Sequence, residues 1–311
     1  MSVFEGVVVG YSNAPSATVA DRVRRTVALV RRRGYALTPA RLGEVCVGGQ
    51  LPEDEIRWAV ASTHDLALTQ GLVVERDSLG RVSSIADRAR DHAVESGRYL
   101  EMAVTFVKRL LVIAPFIRSV SIAGSLASGG FRATDDVDLN LIVDDGHRHL
   151  GYVAVNIAGL AHALAHRAKP VDASTRRPIA PRLMTANLIL ERSQCFPLAR
   201  QDEDMAFELL VAEPVFGSGL LDEIVAANPP LSEVFPQLAR KARPLLIEAP
   251  ITRAPGALFP RALDGAARML GQSAWRYMQW TRRHSPEALA RVAFVRSTMR
   301  PYTLFDGPQP E

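Results

Sequence analysis

Apolar residues recur every three or four positions in the first third of the chain, which is the spacing of amphipathic helices. One such helix is predicted over residues 18–33. A second begins at Thr38, a residue type that caps helix N-termini, and has Pro39 at its first helical position. A third helix is predicted over residues 52–71. The pattern therefore predicts three successive helices.

Two short β-prone runs follow in GLVVERDSLGRVSSI (71–85) and predict a hairpin that turns at DSLG. Three helices and a hairpin are typical of a winged helix-turn-helix, so we expect a winged-helix-like domain over 1–92. The third helix of such a module presents its N-terminal residues to DNA. Here these are Glu53, Asp54 and Glu55, whose charge repels phosphates. A protein contact or intramolecular docking is favoured, with DNA binding as the alternative.

Helical and β-type apolar patterns alternate in the middle of the chain, which predicts an α/β (α+β) core with a mixed sheet over 93–216. The predicted order is a helix at 96–114, strands at 117–124 and 136–143, a helix near 150–167, a strand at 182–190 and a helix near 202–212. This core is the most regular part of the pattern.

Beyond residue 217 the pattern is mostly helical, so a helical C-terminal region is expected over 217–311. Within 261–285, apolar positions step by three and four and predict one long helix that packs along a single stripe. The stripe consists of Leu263, Ala267, Leu270, Ala274 and Tyr277.

The composition is that of an ordinary globular protein, with 48% hydrophobic and 23% charged residues. The net charge is +4, and almost all of the positive charge is carried by arginine. This positive excess is compatible with an anionic substrate such as a nucleotide, or with nucleic acid. The two cysteines, Cys46 and Cys195, form neither a disulfide framework nor a zinc ribbon. No apolar run approaches the ~18 residues of a spanning helix, and we expect a cytoplasmic protein without membrane contact.

The segment GSLASGGFRATDDVDLNLIV (124–143) carries the candidate chemistry. Side chains alternate along a strand, so Asp136 and Asp138 share one face, about 7 Å apart. Two such carboxylates repel each other unless a cation lies between them, and Mg²⁺ prefers carboxylate and phosphate oxygens. Upstream, Gly124 permits a close approach of the backbone to a ligand, and Ser125 offers a hydroxyl and an amide to a phosphate. The segment therefore indicates polyphosphate chemistry.

An apolar strand, Gly-Ser, about ten residues and then Asp-x-Asp in an apolar run resembles the polymerase-β-like nucleotidyltransferase superfamily. "GSLASG…DDVDL" is especially similar to its small bacterial and archaeal members, which transfer a nucleoside monophosphate to a small molecule or another acceptor. The stretch at 185–217 also resembles a group of relatives that carry N-terminal winged helices. The resemblance covers about residues 95–235.

The resemblance implies that Gly124 and Ser125 hold a triphosphate and that Asp136 and Asp138 bind the metal ions and are catalytic. Asp135 stands where the family often has serine and is interpreted as a neighbour of the ligands. Two further residues of the loop, Ser128 and Arg132, are candidate nucleotide contacts, although a solvent-exposed side chain is the favoured alternative for the arginine.

The third carboxylate is the departure from the family pattern. Active members usually carry an acid on a later strand, whereas the strand at 182–190 offers Asn187, and Asp172 and Glu191 lie on either side. Asparagine can ligate a metal but cannot take a proton. Metal and nucleotide binding are therefore better supported than turnover.

The function expected from these residues is Mg²⁺-dependent transfer of a nucleoside monophosphate from a nucleoside triphosphate, with ATP as the expected donor, to a hydroxyl of a small-molecule acceptor. Two alternatives remain. A catalytically degenerate domain could regulate through the winged helix as a nucleotide sensor, or the transferase could modify protein or RNA.

Two other features have plainer interpretations. His162 and His166 have zinc-ligand spacing but no glutamate follows the first, so a pair of histidines on a mixed-face helix is favoured. Trp275, Tyr277 and Trp280 are interpreted as packing residues and not as a base-stacking platform.

Overall fold

The structure is a computed structural model that describes residues 18–170, 183–240, 246–247 and 252–305. Its N-terminal part consists of three helices and a two-stranded hairpin. The helices are α1 (Val19–Arg32), α2 (Pro39–Glu44) and α3 (Glu53–Ser62), and the strands are β1 (Leu66–Thr69) and β2 (Leu72–Glu75). The predicted Thr38 cap is confirmed, since its hydroxyl accepts from the Arg41 amide at 3.3 Å.

The predicted position of the hairpin is wrong. The strands turn at Gln70 and Gly71, whose φ angles of 49° and 77° both lie in the left-handed region that a two-residue hairpin turn requires. The third helix, predicted to run to residue 71, ends at Ser62, because the first strand of the hairpin follows it. The DSLG segment, predicted as the turn, lies in a 3₁₀ helix at Arg76–Arg81.

A single long helix, α4 (Val82–Ile113), follows the hairpin and has 32 residues. The pattern predicted only its second half. The first half is mostly polar and buries just Val82, Ala86 and Arg88, so its apolar stripe is narrow. The boundary predicted at residue 92 falls inside this helix.

The predicted mixed sheet is confirmed. Its strands are β3 (Ile117–Ala123), β4 (Val137–Val143), β5 (Met184–Glu191) and β6 (Glu213–Phe216), in the order β5-β4-β3-β6. The pair β4 and β5 is parallel, and the other two pairs are antiparallel. The short edge strand β6 was not predicted, because its four residues include Pro214.

The remaining helices cover both faces of the sheet. They are α5 (Gly124–Ser128), α6 (Arg148–Ala165), α7 (Glu203–Val211), α8 (Ser218–Ala227), α9 (Pro229–Val234), α10 (Leu263–Arg282) and α11 (Pro286–Met299). None of the helices in the described ranges is both long enough and apolar enough to cross a membrane.

The buried apolar residues form two large clusters on opposite faces of the sheet. In β4, Val137, Leu139 and Leu141 belong to the cluster built with α4 and α6. The other cluster joins Ile142 and the β5 leucines to α7–α9 and also to α1–α3. The N-terminal helices therefore share a core with the sheet.

The predicted stripe on α10 is wrong in part. Leu263, Leu270 and Tyr277 are exposed, whereas Ala267 and Gly271 are buried. A Cβ at Gly271 would lie 2.9 Å from Phe305 and 3.0 Å from Tyr152 of α6. Small residues thus let α10 approach α6 closely.

The pair His162 and His166 on α6 gives a pH-dependent prediction. Only 4% of His162 is exposed, its ring lies against Phe106, and within the described residues neither ring nitrogen has a hydrogen-bond partner. Burial, with repulsion from His166 and Arg109, lowers the pKa of His162 from 6.5 to about 4. Between these values the unfolded chain binds the proton and the folded chain does not. The free energy of unfolding should therefore fall by about 2 kcal/mol as the pH drops from neutral towards 4.

Urea unfolding at pH 7.5 and pH 4.5 measures this loss. His162→Leu removes the titrating group and should lose less stability over the interval than the wild type. His166→Gln keeps the buried histidine and removes only the smaller, repulsive cause of its shift, so it should lose nearly as much stability as the wild type. Equal losses for His162→Leu and the wild type would contradict the assignment.

Candidate functional site

The two halves of the Gly-Ser and Asp-x-Asp segment meet where β3 ends. Ala123 pairs with Asp138 across the two antiparallel strands, and Gly124 then turns the chain into α5 with a φ of 61°. A Cβ at Gly124 would overlap Oδ2 of Asp138 and lie 3.0 Å from its Cβ and Cγ. The close approach expected at Gly124 is therefore to an acidic side chain of the site itself.

Asp138 is partly buried and is oriented by its neighbour on β5. The hydroxyl of Thr185 donates to Oδ1 of Asp138 at 2.9 Å, and the two residues are partners in the parallel register. Asp136 precedes β4 by one residue and is also partly buried. By strand alternation it lies on the same face as Asp138.

The residue opposite Asp138 on β5 is therefore Thr185 and not Asn187. The register shifts between Leu139 and Asn140, so Asn187 is an extra residue in β5. Sequence reasoning missed Thr185 because the register and this irregularity depend on contacts between strands that are far apart in the chain.

Asn187 belongs to a polar cluster further along the sheet. Its amide nitrogen donates to Oδ1 of Asn140 and to Oε1 of Glu208, both at 3.0 Å. The Asn140 amide also donates to Glu208 at 3.1 Å. Glu208 comes from α7 and is only 5% exposed. This buried acid was not predicted, although it interrupts the otherwise apolar sequence MAFELLV of α7.

The other two candidates for a third carboxylate do not lie beside Asp138. Glu191 is at the opposite end of β5, paired with Val143, and accepts from the Gly146 amide at 3.0 Å. That end lies five steps along β4 from Asp138, or about 17 Å. Asp172 lies outside the described residues.

The loop residues proposed to contact a nucleotide have intramolecular partners. Ser125 donates to Oδ2 of Asp135 at 3.2 Å, and Ser128, which is buried, donates to the Gly124 carbonyl at 2.6 Å. The guanidinium of Arg132 donates to the carbonyl and hydroxyl of Ser84 at 3.0 and 3.2 Å. Their roles in nucleotide binding stay predictions.

One face of α4 holds the loop between α5 and β4. Contacts come from Ser84 to Arg132, from Arg88 to Gly130 and Asp135, from His92 to the Phe131 amide, and from Tyr99 to the Ala133 carbonyl. From the other side, Lys169 donates to the Thr134 carbonyl at 3.2 Å. The Phe131 side chain is fully buried, with its ring centroid 4.7 Å from that of Tyr99. The loop is therefore a packed part of the fold.

The N-terminal part of the chain also contacts this loop. A Cβ at Gly130 would lie 2.6 Å from Cγ of Tyr35, and a Cβ at Gly129 would lie 3.1 Å from Leu37. Tyr35 is buried, and its desolvation raises the pKa of its hydroxyl to about 12. The loop is thus bounded by the residues between α1 and α2.

The acids at the start of β4 have the chemistry that Mg²⁺ prefers. Within the described ranges, no group of three or more His, Cys, Asp or Glu side chains is arranged to hold a metal. Mg²⁺ can, however, be bound through one or two carboxylates together with substrate phosphates. Asp136 and Asp138 therefore fit a metal that arrives with a phosphate-bearing ligand.

A separate cavity of about 270 Å³ lies between α2 and the chain that follows α9. Arg41, Glu44, Gln237 and Arg240 contribute to its wall, and neither acid of the Asp-x-Asp pair does. It is not part of the candidate site.

Comparison of this chain with protein-family models, curated proteins and solved structures finds no match.

Proposed function

We propose that this protein binds a nucleoside triphosphate with Mg²⁺ at Asp136 and Asp138, and that it transfers the nucleoside monophosphate to a hydroxyl of a small-molecule acceptor. The observation that supports this most directly is the contact between Gly124 and Asp138, because it joins the proposed phosphate loop and the acids into one site. ATP is the proposed donor.

The side chains of the site have distinct tasks in this proposal. Asp136 and Asp138 hold the metal, and the Thr185 hydroxyl fixes the orientation of Asp138. When bound, Mg²⁺ supplies charge neutralisation on the triphosphate and on the leaving pyrophosphate. The loop from Gly124 to Asp135 holds the phosphates in place, and this positioning provides much of the rate.

Proton removal from the acceptor is not assigned to β5. Thr185 lies opposite Asp138, on the strand where active relatives of the resembled family carry an acid, and a threonine hydroxyl does not act as a base near neutral pH. This supports a second candidate, a nucleotide-binding regulator without turnover. The contacts of Tyr35 and Leu37 with the loop also favour the regulator, because a change in the loop on nucleotide binding would act directly on the segment between α1 and α2.

Thermal unfolding with each nucleoside triphosphate, with and without Mg²⁺, tests the proposed site. A ligand that binds only the folded state stabilises it by about 2.7 kcal/mol at one hundred times its Kd. The wild type should show a Mg²⁺-dependent rise in Tm, and the double substitution Asp136→Asn/Asp138→Asn should remove it, because the metal loses both carboxylates.

Asp87→Asn, which changes an exposed acid on α4, serves as the matched control and should retain the rise. Pyrophosphate release in the presence of candidate acceptors then separates the transferase from the regulator. If no triphosphate raises the Tm of the wild type, both the transferase and the regulator are contradicted.

A further inference from the structure

We propose that Arg88 and Asp135 form a charge-coupled positioning pair that sets both the shape of the nucleotide loop and the negative charge available to the metal. The inference rests on the proposed function, because it concerns the affinity of that same site. Neither residue is proposed to touch the reacting atoms. Both act through the loop that lies between them.

The pair is almost completely buried. The exposed fractions of the two side chains are 6% for Arg88 and 11% for Asp135, and their charged groups lie 2.9 Å apart. Arg88 also donates to the Gly130 carbonyl through Nε. A guanidinium can serve two acceptors at fixed angles, which a lysine ammonium does less well.

The carboxylate of Asp135 also accepts hydrogen bonds from two other positions in the loop. Its Oδ2 accepts from the Ser125 hydroxyl and from the Arg132 amide, each at 3.2 Å. Through one ion pair, α4 therefore fixes the start, the middle and the end of the segment from Ser125 to Asp135. Loss of the pair should loosen every part of the loop together.

The pair also has an electrostatic consequence. Asp135, Asp136 and Asp138 lie within four positions, so the start of β4 carries three acids. Arg88 pairs with the first of them, whereas Asp136 and Asp138 are the proposed metal ligands. Removal of the arginine should therefore strengthen the binding of a bare divalent cation while it weakens the binding of the metal–triphosphate complex, which needs an ordered loop and carries negative charge itself.

Opposite changes in two affinities distinguish this role from a merely structural one. The experiment compares Kd for Mg·ATP by calorimetry with Kd for Mn²⁺ alone. In Arg88→Met, Mg·ATP affinity should fall about tenfold, the value of one charge-assisted hydrogen bond. Mn²⁺ affinity should rise about fivefold, as expected when one positive charge near the acids is removed.

Two further variants separate charge from positioning. Arg88→Lys keeps the charge, so Mn²⁺ affinity should match the wild type, while Mg·ATP affinity falls about threefold because one of the two bonds is lost. Arg88→Met/Asp135→Asn restores the charge balance and avoids a buried acid that has lost its arginine, which is a costly state for folding. Its Mn²⁺ affinity should return to that of the wild type.

The outcomes are distinguishable from those of the proposed function. A wild type that binds neither Mg·ATP nor Mn²⁺ contradicts the proposed function and this inference with it. A wild type that binds both, alongside a folded Arg88→Met with unchanged affinities, overturns the inference alone. Affinities that fall by the same factor also overturn it, since they indicate a general loss of structure. If Arg88→Met does not fold, Arg88→Lys and the double variant decide by the same two measurements.

Discussion

Replacement of Gly124 by alanine is expected to reduce any Mg²⁺-dependent nucleotidyl transfer about 100-fold, the effect of moving a reacting group by about 1 Å. The new Cβ would overlap Oδ2 of Asp138, so either the carboxylate turns away from Thr185 or the backbone leaves its φ of 61°. The free energy of unfolding should also fall by about 1–3 kcal/mol, because a residue with a Cβ is strained in the left-handed region.

Gly34→Ala is the matched control for this substitution. Gly34 also has a positive φ, 82°, but a Cβ there would have no atom within 4 Å. It should therefore lose stability by a comparable amount and keep nucleotide affinity and transfer unchanged. Should Gly124→Ala bind and turn over nucleotide as the wild type does, the contact with Asp138 would have no part in the site.

Phe207→Ala is expected to lower the free energy of unfolding by about 3–5 kcal/mol, as deletion of a buried aromatic ring does in a core. The Phe207 ring is fully buried on α7, beneath the guanidinium of Arg33 at 4.7 Å and 6.0 Å from the ring of Phe235. These contacts connect the end of α1 with the chain beyond the sheet. Differential scanning calorimetry should show one transition at a lower Tm.

Phe106→Ala provides the comparison on the other face of the sheet, where the ring belongs to the cluster of α4 and α6. Both variants should shift the same single transition, because the sheet contributes to both clusters. A separate early transition in Phe207→Ala alone would contradict this cooperativity. It would instead favour an N-terminal domain that unfolds independently.

The order of helices and strands in the core could be predicted because its apolar runs are long and regular. Strands β3 and β4 lie within one residue of their predicted bounds, and Asp136 and Asp138 lie at the start of β4 as expected. Local signals were less informative elsewhere. The turn at Gln70–Gly71 resembles neither Asn-Gly nor Asp-Gly, and the first half of α4 has little apolar periodicity.

The neighbours of the acids could not be predicted, because their partners are distant in the chain. Arg88 and Asp135 are 47 positions apart, as are Thr185 and Asp138. Thr185 also depends on a register that shifts between Leu139 and Asn140. A single sequence identifies residue types that suit a chemistry, whereas these pairings arise only when the sheet and α4 are packed.

Because α4 is a single unbroken helix, insertions or deletions within it change both the direction and the position of the side chains before them relative to those after them. Its loop-holding side chains, Ser84, Arg88, His92 and Tyr99, are spaced by four, four and seven residues and so keep one angular phase. Insertion of one residue between them turns the following part by about 100° and points its contacts away from the loop. Insertion of seven residues, two full turns, restores the angular phase but displaces the hairpin by about 10 Å along the helix axis, so it should disrupt the core that the N-terminal helices share with the sheet.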